Sequence, residues 1–327
     1  MLFNQAPVRR IRFSNCSLPK RTTATGQTPQ WSRLVRFIPS SSPHGSEAVI
    51  GEPVDASLDV GRAIYEAKQP VKVNLYSGTT VLDAGQATGE QAEIGELLSP
   101  LGQDEVGTIR CIGLNYRKHA KEASLPIPTV PILFLKPSTA LTGPYPSKII
   151  IPRSVVADEA ADYESELAVV MGKDCKDVTE ETALDYVLGY TAGNDVSSRK
   201  VQFEQSQWCF SKGFDTACPI GPVIVSTSSI PDPSKLVIKG HKTDPNGQTK
   251  TLQDSPLNDL IFPIPKIISF LSRGTTLKAG TVILTGTPSG IGFFYDPKET
   301  LVHGSTFTVE VSDGIGSLIN EVIEEGK

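Results

Sequence analysis

The chain lacks any apolar run approaching the roughly 20 residues that a membrane-spanning helix needs, which excludes an integral membrane protein. Cysteine is scarce, with five in 327 residues (16, 111, 175, 209 and 218) and no C-x-x-C pair. An odd number without that spacing argues against a disulfide framework or a structural zinc site and fits a reducing compartment. The four histidines, at 44, 119, 241 and 303, form no H-E-x-x-H. There is no G-x-S-x-G nucleophile elbow and no G-x-x-x-x-G-K-[ST] phosphate loop, so a serine hydrolase and an NTPase are set aside. Net charge is −5, which argues against nucleic acid as the main partner.

Acidic residues are missing from the first 46 positions, whereas five bases (Arg9, Arg10, Arg12, Lys20, Arg21) precede Trp31. An Arg-, Ser- and Thr-rich, acid-poor start has the composition of a mitochondrial transit peptide, the other reading being a disordered tail. Mitochondrial matrix and cytoplasm are the two locations that follow. Without that segment 26 bases face 36 acids.

What is present is a chain of ordinary hydrophobicity, 39%, rich in punctuation, with 28 Gly and 25 Pro. Residues 31–105 read as a small N-terminal α+β module. It holds a strand and turn at 31–42, a helix at 58–67, strands at 71–75 and 80–82, and a short turn or helix at 93–98. From 106 to 327 short β-branched runs recur between Gly and Pro: IRCIGL, ILFL, IIIP, LAVVMG, VIVS, LVI, TVILTGT and FTVEV. Helices are expected only at 116–123, 179–188 and 264–271. Many short strands with few helices predict an α+β, mainly β fold, a sandwich or rolled sheet rather than a doubly wound one. GTPSGIG at 286–292 follows a strand, but its glycine spacing does not fit a dinucleotide loop.

Chemistry concentrates in two places. In DYESELAVV, strand alternation puts Asp162, Glu164 and Glu166 on one face, about 6.5 Å apart along the strand. The run into LAVV carries that face toward the interior, where clustered carboxylates must take up protons or bind a cation. Oxygen ligands without His or Cys point to Mg²⁺, Mn²⁺ or Ca²⁺, and Asp195, after the expected strand VLGYTAGND, is the candidate for a third ligand. A solvated acidic edge strand is the competing reading. In GLNYRKHAKE, His119 and Glu122 at i, i+3 share a helix face, the arrangement of a carboxylate-oriented general base.

Together these segments resemble the fumarylacetoacetate hydrolase superfamily. The resemblance runs from about 108 to 322 through CIGLNYRKHAKE, FLKPSTA, DYESELAVVMGK, GYTAGNDVSSRK, KGFDTACPIGP and TVILTGTPSGIG, in the family's order. It implies that family's mixed β-sandwich roll for 106–327, a small-molecule substrate and a homodimer. Glu164, Glu166 and Asp195 match the family's ligands for a divalent cation. His119 and Glu122 match the water-activating dyad of the shorter members. Arg199, Gln202 and Lys212 fall where the founding enzyme stabilises an oxyanion. Thr287 matches a substrate carboxylate contact. The founding enzyme's further metal-binding aspartate has no equivalent near 112–115. The implied activity is metal-dependent hydrolysis of a C–C bond in an acylpyruvate-like 2-oxo acid, through a metal-bound enolate. Oxaloacetate tautomerase or decarboxylase on the same site is the alternative, and a non-catalytic binding member is an alternative of another class. Lys136 in FLKP is either a lysine whose stem covers apolar surface or a substrate-binding cation. Cys209 and Cys218 are expected in the core, and Trp208 packed near the mouth of the site.

Overall fold

A computed structural model describes residues 31–43, 46–156 and 161–327; the basic segment before Trp31 lies outside them. The architecture is mainly β, as expected. An 11-stranded sheet and a five-stranded sheet pack across a common core. In the larger sheet the central strand, Ser165–Met171, is buried along its whole length. Leu167 and Val169 join the core shared with Phe307, Val309 and Leu318 of the smaller sheet. Ala168 and Val170 face a second cluster containing Leu34, Ile220 and Leu284. A strand buried on both faces reads as a continuous apolar run, which is why LAVVM shows no alternation.

That strand lies between Val187–Asn194 and Val282–Leu284, and beyond the latter come Ile109–Gly113 and the edge strand Ile132–Lys136. On the other side Val187–Asn194 leads through Cys218–Ser226 to Arg33–Pro39. Arg33–Pro39 pairs with Val49–Pro53 and Ala87–Leu98 as well as with Cys218–Ser226, so sheet hydrogen bonds run across the boundary expected near residue 105. The helix Val60–Tyr65 is capped by Asp59, whose side chain accepts from the Arg62 amide at 3.1 Å. It rests on Gly316–Glu324 at Gly61, where a β-carbon would come within 1.8 Å of the Ser317 carbonyl.

Three local expectations are corrected. Residues 93–98 belong to a 12-residue strand, Ala87–Leu98. Its first half is polar and exposed and is held by backbone pairing to Lys72–Tyr76, so it carries no apolar period. Residues 80–82 form a tight turn closed by the Thr80–Asp83 bridge. Residues 179–188 hold only a 3₁₀ turn, Ala183–Tyr186, because Val187 is already paired to Met171. Among the described residues no helix is long and apolar enough to cross a membrane.

Candidate active site

Strand register brings the first carboxylates together. Ser165 pairs with Asn194, so the next residue of each strand, Glu164 and Asp195, stands opposite the other, with the Asp195 amide donating to the Glu164 carbonyl at 2.9 Å. Asn194 closes the same end, accepting the Glu164 amide on its side chain at 3.0 Å. Glu166 is the third member, and one ligand oxygen from each of the three lies within 4.8 Å of the others. All three are buried. Glu166 has no cationic partner among the described residues and receives only the Gly286 amide, at 2.6 Å. Burial first, then the charges of Asp195 and Glu164, push its carboxyl well above the usual range. A buried carboxylate without a counter-ion, aimed at two more, fits a hard cation with oxygen ligands.

Asp162 does not join this group. The strand breaks at Tyr163, and Ala161–Asp162 pairs instead with Ser197–Ser198. The Asp162 carboxylate accepts the amides of Tyr163, Gly292 and Phe293 and the Arg199 Nε, the last at 2.8 Å. It therefore orients Arg199, whose Nη1 donates to Glu164 at 2.6 Å and to Gln202 at 3.0 Å. Arg199 Nη2 is buried with no hydrogen-bond partner among the described residues, and Arg199 lines the cavity beside these groups. Lys212 Nζ lies 2.7 Å from Asp195 and 3.0 Å from Glu164. Burial opposes ionisation of Glu164, but Lys212 and Arg199 overrule it and hold its carboxyl below the usual range.

Lys136 is neither solvent-reaching nor in the cavity wall. It is 3% exposed, its Nζ donates to the carbonyls of Val196, Lys212 and Ala217, and it lies 2.6 Å from Asp195 Oδ1. It sits behind a proposed ligand, with its hydrogens committed. The buried carboxylates Asp162, Glu164, Glu166 and Asp195 outnumber the cations Lys136, Arg199 and Lys212 by one.

The dyad sits on a short helix, Arg117–Glu122. Leu114, at φ 52°, turns the chain out of the preceding strand. Asn115 then locks the turn, donating to the carbonyls of Thr285 and Phe262 and accepting the Phe262 amide. His119 Nδ1 is 2.9 Å from Glu122 Oε2, and His119 lines the cavity. GTPSGIG, unassigned by its spacing, proves to be a clamp of backbone amides. Gly286 donates to Glu166, Gly290 to Glu122 at 2.8 Å, and Gly292 to Asp162 at 2.8 Å. Gly286 and Gly290 both stand at φ 102°, and a β-carbon on Gly290 would meet the Leu252 carbonyl at 1.9 Å. No other residue type adopts that backbone there without strain.

Thr287 lines the cavity, but its hydroxyl already donates to the Ser165 carbonyl at 3.0 Å and accepts from Gln253 at 2.8 Å. Gln253, which the sequence did not single out, comes from the smaller sheet; it also takes the Ser165 amide and so ties the clamp to the carboxylate strand. The cavity is about 580 Å³. Trp208 forms part of its wall, edge-on to Phe134 with centroids 5.6 Å apart. Cys218 is a core residue, its thiol pushed up to about 12 by burial. Cys209 is exposed, not in the core.

The profile of the fumarylacetoacetate (FAA) hydrolase C-terminal family matches residues 108–323. Caffeoylpyruvate hydrolase of Neonothopanus nambi is 42% identical over 298 residues, 90% of this chain and 94% of its own. The mitochondrial oxaloacetate tautomerase of Xenopus laevis is 35% identical, over 97% of this chain and 98% of its own. The solved 2-hydroxyhepta-2,4-diene-1,7-dioate isomerase of Mycobacterium marinum superposes with a TM-score of 0.72 at 31% identity, over 91% of this chain and all of that one.

Proposed function

The chain belongs to the fumarylacetoacetate hydrolase family, and from that premise we propose that it hydrolyses a C–C bond in an acylpyruvate-like 2-oxo acid. The observation carrying this reading is the His119–Glu122 pair, with Glu122 pinned by the Gly290 amide, in the cavity that Glu164, Arg199 and Lys212 also line. A divalent cation held by Glu164, Glu166 and Asp195, magnesium or manganese, with calcium as the other hard-cation option, would supply Lewis-acid polarisation of the substrate's oxygens. His119, with Nδ1 fixed by Glu122, takes a proton from water on Nε2, and the hydroxide adds to the carbonyl of the acyl group. Arg199 Nη2, the unpaired donor, faces the oxyanion that develops, with Gln202 steadying the guanidinium and Lys212 adding its positive charge. When the oxyanion collapses, the C–C bond breaks, the carboxylic acid leaves, and the electron pair stays on the pyruvate fragment as its enolate.

A second reading is favoured by the near full-length match to the Xenopus relative. Without attack by water the same residues would exchange the enol and keto forms of oxaloacetate. That relative's mitochondrial label and the basic segment before Trp31 support a mitochondrial matrix location. The family resemblance supports a homodimer. The test is to incubate the purified chain and Mg²⁺ separately with acetylpyruvate and oxaloacetate. Acetate and pyruvate released from the first support hydrolysis. Loss of enol absorbance with oxaloacetate and no cleavage of acetylpyruvate would replace it with the tautomerase.

A further inference from the structure

The cavity has two unlike ends. Its titratable lining residues, His119, Glu164, Arg199 and Lys212, all belong to the inner cluster. Both cations among them face carboxylates, Arg199 facing Asp162 and Glu164, and Lys212 facing Asp195 and Glu164 with the Ser197 hydroxyl; the one donor they leave without a partner among the described residues, Arg199 Nη2, belongs to the inner cluster. The lining toward the mouth is apolar, Leu125, Ile127, Trp208, Phe293 and Phe294, while the Phe134 ring lies beside the inner cluster, its centre 5.0 Å from the Lys212 ammonium. Lys298, whose ammonium lies 4.4 Å from the Phe293 ring centre, does not line the cavity.

Aromatic rings make up much of this wall. A β-carbon at Gly113 would lie 2.4 Å from Trp208 Cζ3, so the indole takes its place only because position 113 has no side chain. Phe293 and Phe294 stand edge-to-face at 5.6 Å, and Phe294 is 6.4 Å from the His119 ring. The aromatic surface therefore reaches the general base. Leu125, Ile127 and Phe294 are 53%, 57% and 42% exposed, so apolar surface at the mouth is left for a ligand to cover. A carboxylate pressed against these side chains would lose part of its water and meet no cation among the residues lining the mouth.

Resting on the hydrolase reading, we propose that the outer half of the cavity binds the acyl group, that it selects neutral apolar acyl groups, extended or aromatic, and that it discriminates against a second, terminal carboxylate. The pyruvoyl head goes to the inner cluster, where the cation that Glu164, Glu166 and Asp195 would hold and Arg199 Nη2 would meet its charge; the acyl tail goes to the apolar wall.

The test is a kcat/KM series with Mg²⁺ over acetyl-, hexanoyl-, benzoyl- and 3-carboxypropanoylpyruvate. Hexanoyl- and benzoylpyruvate should exceed acetylpyruvate by about ten- to a hundredfold, with the carboxypropanoyl compound below acetylpyruvate. Ile127→Arg, at an exposed position, should lower hexanoylpyruvate and raise the carboxypropanoyl compound relative to it. A flat series, or a preference for the terminal carboxylate, overturns the proposal while leaving the hydrolase standing. Cleavage of none of the four would remove the hydrolase reading, and binding then decides about the wall. In a Trp31→Phe background Trp208 is the one tryptophan left. Its fluorescence should change with hexanoylpyruvate and not with the carboxypropanoyl compound; the reverse, or no change with either, refutes the selective wall.

Discussion

The inner and outer ends of the cavity are held by different physics. At the inner end most charged groups have more than one restraint, Glu166 with its single Gly286 amide being the exception. Arg199 is fixed by Asp162, Glu164 and Gln202, Asp195 lies between Lys136 and Lys212, and the glycine amides hold Glu166, Glu122 and Asp162. At the outer end the side chains touch one another through ring edges and face water, as Phe203 does at 67% exposure beside Phe293. Buried polar networks are costly to leave half-satisfied, so the inner end should fail abruptly on substitution. The outer end should tune affinity without stopping the chemistry.

The largest effect is expected at the inner end. His119→Ala should cut hydrolysis of acetylpyruvate about 10²–10⁴-fold while leaving any enol–keto exchange of oxaloacetate within a small factor. Equal losses in both reactions would mean that His119 moves a substrate proton rather than a water proton. Lys136→Met comes next. Removing one partner of a buried ion pair costs about 3–5 kcal/mol, so its urea midpoint should fall and Mn²⁺ binding should weaken. If stability holds and only KM rises, Lys136 touches substrate and its place behind Asp195 has been misread. The smallest effect belongs to the outer end. Phe203→Ala should raise KM for apolar substrates by up to about tenfold, the worth of partly covering one ring, with kcat little changed. A large fall in kcat there would erase the distinction between the two ends.

Much of this was legible in the sequence where the cause is local. The apolar runs mark strands because a buried strand needs apolar residues on each buried face. The convergence of Glu164 and Asp195 follows from two strands ending in register. Tertiary causes were not legible. Alternation grouped Asp162 with the carboxylates, but backbone amides from 292 and 293 and a guanidinium from 199 capture it. Lys136 offered two readings from its neighbours; partners at 195, 196, 212 and 217 decide its position. The polar strand Ala87–Leu98 has no period to read, since pairing rather than burial holds it. The proline-rich SLPIPTVPI at 124–132 supplies much of the outer wall, and its prolines are the signal in the sequence for an irregular lining segment.

The claim on which the rest depends is that Glu164, Glu166 and Asp195 together take a divalent cation. Isothermal titration of the chelator-treated protein with MnCl₂ measures this directly. One ion bound per chain, with binding abolished in Glu166→Ala while the variant keeps its circular dichroism spectrum, is the expected result. No heat of binding, or equal affinity in the two proteins, would contradict it.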